Sequence, residues 1–289
     1  MSTTRRLHWA EYRTTEFGTG PGSTVDPDRT IAVLPTAAIE QHGPHLPVGV
    51  DTMIQDGMLA TLCEIVPQDL DIRILPTQAV GKSNEHLHAP GTLTLNAAQA
   101  LDLWTEIGLS VARAGVRKLV IVNSHGGNLD LVNVVARELR VRADMLCART
   151  QWMTFGTPDD LPGGALTDDE RRYGIHGGDV ETSLMLHFHP DLVAMEHAAD
   201  FRSTAADGGL PPTGLPSYGW IASDLNPHGT VGAAENASAE RGAVIANHQV
   251  RGFIAFLGEV EAFDVSRLQS GRDEPSTRLS ASPGARSTR

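Results

Sequence analysis

The apolar residues of this chain fall into short continuous runs and into longer segments of helical period. Residues 31–34 are apolar throughout, and residues 118–122 are nearly all β-branched or leucine, which is typical of strands buried on both faces of a parallel sheet. Segment 52–66 instead repeats its apolar residues every three or four positions, as a helix does. The same pattern predicts strands at 31–34, 71–75, 118–122 and 145–148, and helices at 52–66, 96–115, 129–142 and 237–257.

Local signals support two of the helices. Asn96 is a favourable N-cap, and Gly115 is a favourable residue at a helix end. Within the last helix, four residues are the predicted inner positions: Val244, His248, Phe253 and Ile254.

The order of the elements predicts the fold class. Alternating strands and helices imply a mostly parallel sheet with helices on both faces, a three-layer α/β/α sandwich. Nothing divides residues 1–268, so we expect one domain there, whereas residues 269–289 have almost no apolar side chains and are predicted to be disordered. Segments 161–174 and 201–218 are rich in glycine, proline or polar residues and are predicted to be long loops, the first mobile and the second an ordered loop or arm suited to subunit contacts.

Three short segments combine His, Asp and Glu with small flexible residues. The first, residues 39–51, holds Glu40, His42 and Asp51 in a loop with two prolines and follows the first strand. The second reads Asn-Ser-His-Gly-Gly-Asn from position 123 and follows the strand at 118–122. The third, from His176, reads His-Gly-Gly-Asp-Val-Glu-Thr-Ser. Oxygen and nitrogen side chains without thiolate suit zinc, manganese or iron.

Strand order places this chemistry at one edge. The loops after the first, third and fourth strands hold Glu40 and His42, His125, and Trp152. Open α/β sheets bind ligands outside the carboxyl ends of their strands. We therefore expect these side chains to meet at that edge.

At these residues the chain resembles the creatininase family of metal-dependent amidohydrolases. Glu40-x-His42 with Asp51 nine residues later resembles the first ligand motif of the family. "SHGGN" from Ser124 resembles the second motif, and "HGGDVETSLML" from His176 the third. The resemblance implies an α/β amidohydrolase with two divalent ions per chain (Zn, Mn or Fe), a small-molecule substrate and a homohexameric assembly. It further implies Glu40, His42, Asp51 and His125 as metal ligands and His176 as the catalytic residue.

Two departures from the family pattern concern the metal ligands and the identity of the substrate. Creatinine-hydrolysing members carry a metal-binding Glu where this chain has Gly127, so Glu181 is the candidate replacement ligand. They also carry a Trp where this chain has Arg172, beside Tyr173. An arginine there would suit a substrate with a carboxylate or another acceptor, so creatinine is not the expected substrate. The candidate substrate-binding residues are Trp152, Arg172, Tyr173 and Ser83.

Each candidate also has a simpler interpretation. Asp51 could only cap a helix, and Glu181 could only support a first helical turn. His125 could belong to an anion-binding glycine-rich turn. His176 could be a surface histidine, and Trp152 could be core packing. The remaining three candidates, weaker still, are neighbours of the site rather than ligands: His45, His86 and His88.

The expected function is therefore hydrolysis of a carbon–nitrogen amide bond in a small cyclic amide, ureide or formamide, by a metal-activated water. An alternative is a creatininase-like peptidase acting on a modified peptide, with the extended loops as its groove. A more distant alternative is a non-enzymatic metal-binding assembly protein.

Composition narrows the partners and the compartment. A formal net charge of −12 argues against nucleic acid and against an anionic membrane surface. No apolar run approaches a membrane span and no signal peptide is evident in the first 30 residues. The two cysteines, Cys63 and Cys147, are expected to be buried thiols, which is in line with a cytoplasmic protein.

Overall fold

The computed structural model describes residues 5–269. The tail predicted to be disordered, residues 269–289, lies outside the described part of the chain from residue 270 onward. The strands are β1 (Ile31–Thr36), β2 (Ile72–Ile74), β3 (Lys118–Asn123), β4 (Leu146–Gln151), β5 (Asp200–Phe201) and β6 (Gly232–Ala233). The α-helices are α1 (Val50–Ile65), α2 (Ala97–Arg113), α3 (Leu129–Ala143), α4 (Asp168–Tyr173), α5 (Asp179–Phe188), α6 (Ala222–Leu225) and α7 (Ala239–Ala262).

The main sheet has the order β2-β1-β3-β4, and all of its strands are parallel. β5 and β6 form a separate antiparallel pair. The chain crosses the sheet one way from β1 to β2 and the other way from β2 to β3 and β4. Right-handed crossovers then put α1 on one face and both α2 and α3 on the opposite face. All four main strands therefore end at one edge, as the sequence predicted.

The two faces of the sheet are covered by different helices, which confirms the three-layer α/β fold. Ile31 and Val33 face a core that includes side chains of α1, α5 and α7. Ala32 and Leu34 face a second core that includes side chains of α2 and α3. Successive residues of a strand point to opposite faces, and both faces of β1 and β3 are buried. The continuous apolar runs of the sequence are thereby explained.

Several predicted boundaries and positions need correction. His248 is exposed, whereas its neighbour Gln249 is buried, so the predicted inner face of α7 was wrong there by one position. Val244 and Ile254 are only half-buried, although Phe253 is in the core as predicted. Residues 161–174 are not a continuous loop, because α4 forms within them. Asn96 caps α2 as predicted, with its side chain accepting from the Gln99 amide.

Two further expectations concerned buried cysteine thiols and the lack of a membrane-spanning segment. Cys63 and Cys147 are free thiols, and each is half-buried. Within residues 5–269, no helix has both the length and the apolar character needed to cross a membrane.

Candidate active site

The carboxyl edge of the sheet gathers the first two motifs. β1 ends at Thr36 and runs into the loop with Glu40 and His42, and β3 ends at Asn123, two residues before His125. Helix α1 begins at Val50 with Gly49 as its N-cap. Asp51 therefore lies inside the first turn, and the simpler interpretation of this residue as an N-cap was wrong. Its side chain is buried and faces the other motifs.

Two groups of three ligand-type side chains share Asp51. In the first, Nδ1 of His125 lies 3.2 Å from Oε1 of Glu40 and 3.8 Å from Oδ2 of Asp51. In the second, Nε2 of His42 lies 3.9 Å from the same Asp51 oxygen and 3.6 Å from Oε2 of Glu181. One carboxylate common to two groups is the arrangement that a pair of divalent ions requires.

Polar atoms without partners show that the site suits cations. Oε2 of Glu40, Nε2 of His42 and Oδ2 of Asp51 are buried and make no hydrogen bond. Unpaired buried polar atoms are costly, and divalent ions bound in the two groups would satisfy all three. The opposite nitrogens of the imidazoles face backbone carbonyls: Nδ1 of His42 lies 3.0 Å from Glu40 O, and Nε2 of His125 lies 3.0 Å from Lys82 O. This is the usual arrangement behind metal-ligating histidines.

The charges of the cluster also favour a cation. Burial, followed by the Glu40 carboxylate, raises the pKa of Asp51 well above its ordinary value. Burial would lower the pKa of His125, but the carboxylates of Glu40 and Asp51 together outweigh it and raise that pKa to about 10. Negative charge is therefore in excess inside a dry site, and a proton on His125 neutralises part of it. Divalent ions would replace that proton.

His176 lies against this cluster. Its ring centroid lies 4.1 Å from that of His42 and 4.4 Å from that of His86, with both ring pairs tilted. Nδ1 lies 3.6 Å from Oε1 of Glu40. Nε2 donates to the Gln41 carbonyl at 2.7 Å. Burial and then His42 lower the pKa of His176 to about 4, so its imidazole is neutral at pH 7. It is buried, and its interpretation as a surface histidine was wrong.

Helix α5 carries the third motif to the same place. The helix begins at Asp179, which puts Glu181 in its first turn, and Oε2 of Glu181 also accepts from the Gly177 amide at 2.6 Å. Asp179 is buried against Arg241 of α7, whose Nε and Nη2 donate to its two carboxylate oxygens at 2.9 and 2.5 Å. Glu170 of α4 accepts from the Asp179 amide at 2.8 Å. Glu181 is thus a first-turn carboxylate that also faces the other motifs.

Of four weaker candidates from the sequence, three lie in or beside the cluster and one does not. Ser83 is buried with Oγ 3.3 Å from Nε2 of His125, so it contacts that imidazole. His86 lies 3.5 Å from Glu40, and Nε2 of His45 lies 2.9 Å from Oγ1 of Thr182. His88 is exposed and is not brought to the site.

A cavity of about 380 Å³ adjoins the cluster at Glu181 and Gly126. Trp152 lines it while its indole nitrogen donates to Gln55 at 3.2 Å, so the residue is both core packing and cavity wall. Arg172 does not line this cavity; it is exposed, and its guanidinium lies 5.2 Å from the ring centroid of Tyr173, which is also absent from the lining. Arg171 lines the cavity instead and pairs with Asp159 at 3.0 Å.

The sequence-based reasoning missed Glu85. This residue lies 3.6 Å from Nε2 of His125 and pairs with Lys82 at 2.8 Å. A Cβ at Gly127 would clash with the Glu85 carboxylate, the His125 ring and the Lys82 carbonyl. No motif in the sequence identifies Glu85. The only signal was Gly127, which leaves room beside His125 that another side chain can occupy.

Comparison with known proteins agrees with this site. The family model Creatininase, described as creatinine amidohydrolase, matches residues 22–257. Creatinine amidohydrolase of Pseudomonas putida is 29% identical over 272 residues, 88% of this chain and 95% of that protein. The mycofactocin precursor peptide peptidase of Mycolicibacterium smegmatis is 32% identical over 165 residues, 56% of this chain and 60% of that protein.

Solved structures show the same fold. The structure named Creatininase Mn superposes with a TM-score of 0.64 at 27% identity, covering 81% of this chain and 92% of that one. A mutant creatininase of Zn-Zn type gives 0.63 at 28% identity, with coverage of 81% and 92%. The α/β fold is the architecture that these structures share with this chain, which carries a cluster of His and carboxylate side chains at the carboxyl edge of its parallel sheet. The chain belongs to the creatininase family of hydrolases.

Proposed function

We propose that this protein is a metal-dependent amidohydrolase that cleaves a carbon–nitrogen amide bond with an activated water. The observation that carries the proposal is the pair of three-residue groups sharing Asp51, with three buried ligand atoms left without partners. His176 could itself join Glu40 and His42 around an ion; a buried neutral imidazole beside the other two groups favours catalysis over metal binding alone.

The ligand assignment follows the two groups. Glu40, Asp51 and His125 would hold one divalent ion, and His42, Asp51 and Glu181 the other. The mixed oxygen and nitrogen set fits zinc, manganese or iron. The structure named Creatininase Mn supports manganese, and the mutant creatininase of Zn-Zn type supports two zinc ions. Bound ions of this kind lower the pKa of water and polarise the substrate carbonyl.

His176 is the proposed proton carrier. Its Nε2 is held protonated by the Gln41 carbonyl, which leaves Nδ1 as the acceptor facing Glu40. A neutral imidazole can take a proton from the attacking water and give it to the leaving nitrogen. Such general acid–base catalysis contributes ~10²–10⁴-fold to a rate.

The cavity supports an amide with an apolar substituent. Its apolar lining includes Ile54, Trp152, Val180 and Leu184, and a volume of about 380 Å³ lies at the small end of ligand pockets. A small cyclic amide, ureide or formamide is the first candidate substrate. A modified peptide is the second, because the cavity has room for a side chain beside the cluster and one relative is a precursor peptide peptidase.

The position of Arg171 changes the expected anion selectivity. We expected Arg172 to recognise a substrate carboxylate, yet Arg171 lines the cavity. In a panel of matched neutral and carboxylated lactams and ureides, Arg171→Ala should therefore lower kcat/KM for carboxylated members about tenfold, the value of one charge-assisted hydrogen bond. Arg172→Ala is the matched control and should change little, and creatinine should be a poor substrate.

The opposite result in that panel would restore Arg172 as the recognition residue. Equal turnover of creatinine and the best panel member would contradict the substrate proposal while leaving the metal site intact.

We further propose that the protein works as a homo-oligomer, a hexamer by family resemblance, in the cytoplasm. Leu210 and Leu215 are exposed in the segment 201–218, and Leu215 is 97% exposed. Apolar side chains of this kind suit a subunit contact, and free thiols suit a reducing compartment. Light scattering at micromolar concentration should report a mass several times 30.9 kDa; a mass of one chain would refute the assembly.

A further inference from the structure

The space beside Gly127 is filled by a side chain from a distant loop. Glu85 lies in the turn at 84–86, and a Cβ at position 127 would stand closer than van der Waals contact to Oε1 of Glu85. Its other oxygen, Oε2, accepts from Nζ of Lys82 at 2.8 Å. The Glu85 side chain is largely buried, with 11% of its surface exposed. Burying a carboxylate is costly unless it is paired, so the position of Glu85 near His125 requires an explanation.

The two nitrogens of His125 define what that role can be. Nδ1 faces Glu40 and Asp51, so it is the nitrogen turned toward the candidate metal position. Nε2 points the opposite way, with the Lys82 carbonyl at 3.0 Å, Ser83 Oγ at 3.3 Å and Glu85 at 3.6 Å. Glu85 therefore lies behind the imidazole, on the side away from the ion that His125 would hold through Nδ1.

We propose that Glu85 is a positioning residue for His125, placed where the side chain of residue 127 would otherwise stand. The Lys82 carbonyl fixes the proton on Nε2, and the Glu85 carboxylate favours that protonated nitrogen electrostatically. Nδ1 is thereby left as the lone-pair donor toward Glu40 and Asp51, and the ring gains basicity. Groups behind a ligating histidine commonly change metal affinity 10- to 100-fold. The inference rests on the proposed function only in assuming that the cluster binds metal.

The first test is metal affinity. Zinc alone would be titrated into metal-free protein against a competing chelator, for wild type, Glu85→Gln, Glu85→Asp and the surface control Glu259→Gln. Glu85→Gln should weaken the affinity about tenfold with unchanged stoichiometry, and Glu85→Asp should recover part of the loss because it keeps the charge. The unfolding midpoint of metal-free Glu85→Gln should stay near that of wild type. If Glu85 served only to stabilise the fold, that midpoint would fall instead.

Three outcomes would overturn the inference. Unchanged zinc affinity in Glu85→Gln would show that the carboxylate does not act on His125. Loss of one ion from the stoichiometry would make Glu85 a ligand, together with Glu40 and His86, which could form such a group. An equal loss in Glu259→Gln would reveal a general charge effect. If wild type itself binds no zinc, the proposed function fails first, which separates the two claims.

The second test uses the steric relation. Gly127→Ala should weaken zinc binding because its Cβ collides with Glu85 and the His125 ring. In a Glu85→Ala background the same substitution should cost measurably less, because one of the colliding groups has been removed. Strictly additive losses would contradict the placement of Glu85 beside Gly127. If Gly127→Ala does not fold, the Glu85→Gln titration still decides the matter.

Discussion

Asp51→Asn should remove both metal ions and abolish hydrolysis. Asp51 is the only residue common to the two ligand groups among the residues that the structure describes. An amide is a poor bridging ligand, because it carries no charge and offers a single oxygen. We expect almost no bound metal and a fall in kcat of at least ~10²–10³-fold, the cost of removing one preorganised electrostatic group.

Two comparisons make this result specific. Glu181→Gln should weaken the ion in the group with His42 and spare the ion in the group with His125, since Glu181 belongs to only one of them. Asp56→Asn, an exposed carboxylate on the same helix α1, should leave both ions in place. The measurement is metal content by mass spectrometry beside activity. Full activity in metal-free Asp51→Asn would end the metal-based account.

Arg241→Met should destabilise the protein by about 3–5 kcal/mol, because it leaves the Asp179 carboxylate buried without its partner. Arg241 is 5% exposed and donates to both oxygens of Asp179 and to the carbonyls of Pro162 and Gly164. The change breaks the link between α7 and the start of α5, which carries Glu181. Denaturant unfolding of the metal-free protein measures the effect.

Control variants separate the pair from the loss of any arginine. Arg251→Met, at an exposed position of the same helix, should change stability by less than about 0.5 kcal/mol. Combining Arg241→Met with Asp179→Leu should recover much of the loss, since replacing both members of a buried pair by apolar residues is often nearly neutral. A single mutant as stable as wild type would show that the ion pair does not secure α5.

The sequence was sufficient for the sheet edge because the carboxyl ends of parallel strands meet whatever the details of packing. A cluster after 31–34 and another after 118–122 had to lie at the same edge once the strands were parallel, and the pairing of β1 with β3 brings them together. Glu181 was suggested instead by the family resemblance and by the missing Glu at Gly127, and the structure places it in the first turn of α5. The placements of the two clusters depend on strand direction and helix phase, which apolar patterns determine directly.

Other placements depend on contacts that no local pattern reveals. Neighbouring residues on a helix point about 100° apart, and the short polar helix α4 has no apolar stripe to fix which of Arg171 and Arg172 faces the cavity. The same shift by one position misplaced His248 relative to Gln249. Glu85 reaches His125 from a loop about 40 residues earlier in the chain, a contact that tertiary packing alone creates.

The most direct test of the account is a metal-depletion and reconstitution assay on amide hydrolysis. Protein stripped with a chelator should lose turnover of every amide in a panel of lactams, ureides, formamides and short peptides. Stepwise addition of zinc or manganese should restore activity and reach its maximum at two ions per chain. Hydrolysis that persists without metal, or reconstituted protein that cleaves no amide in the panel, would contradict the central claim.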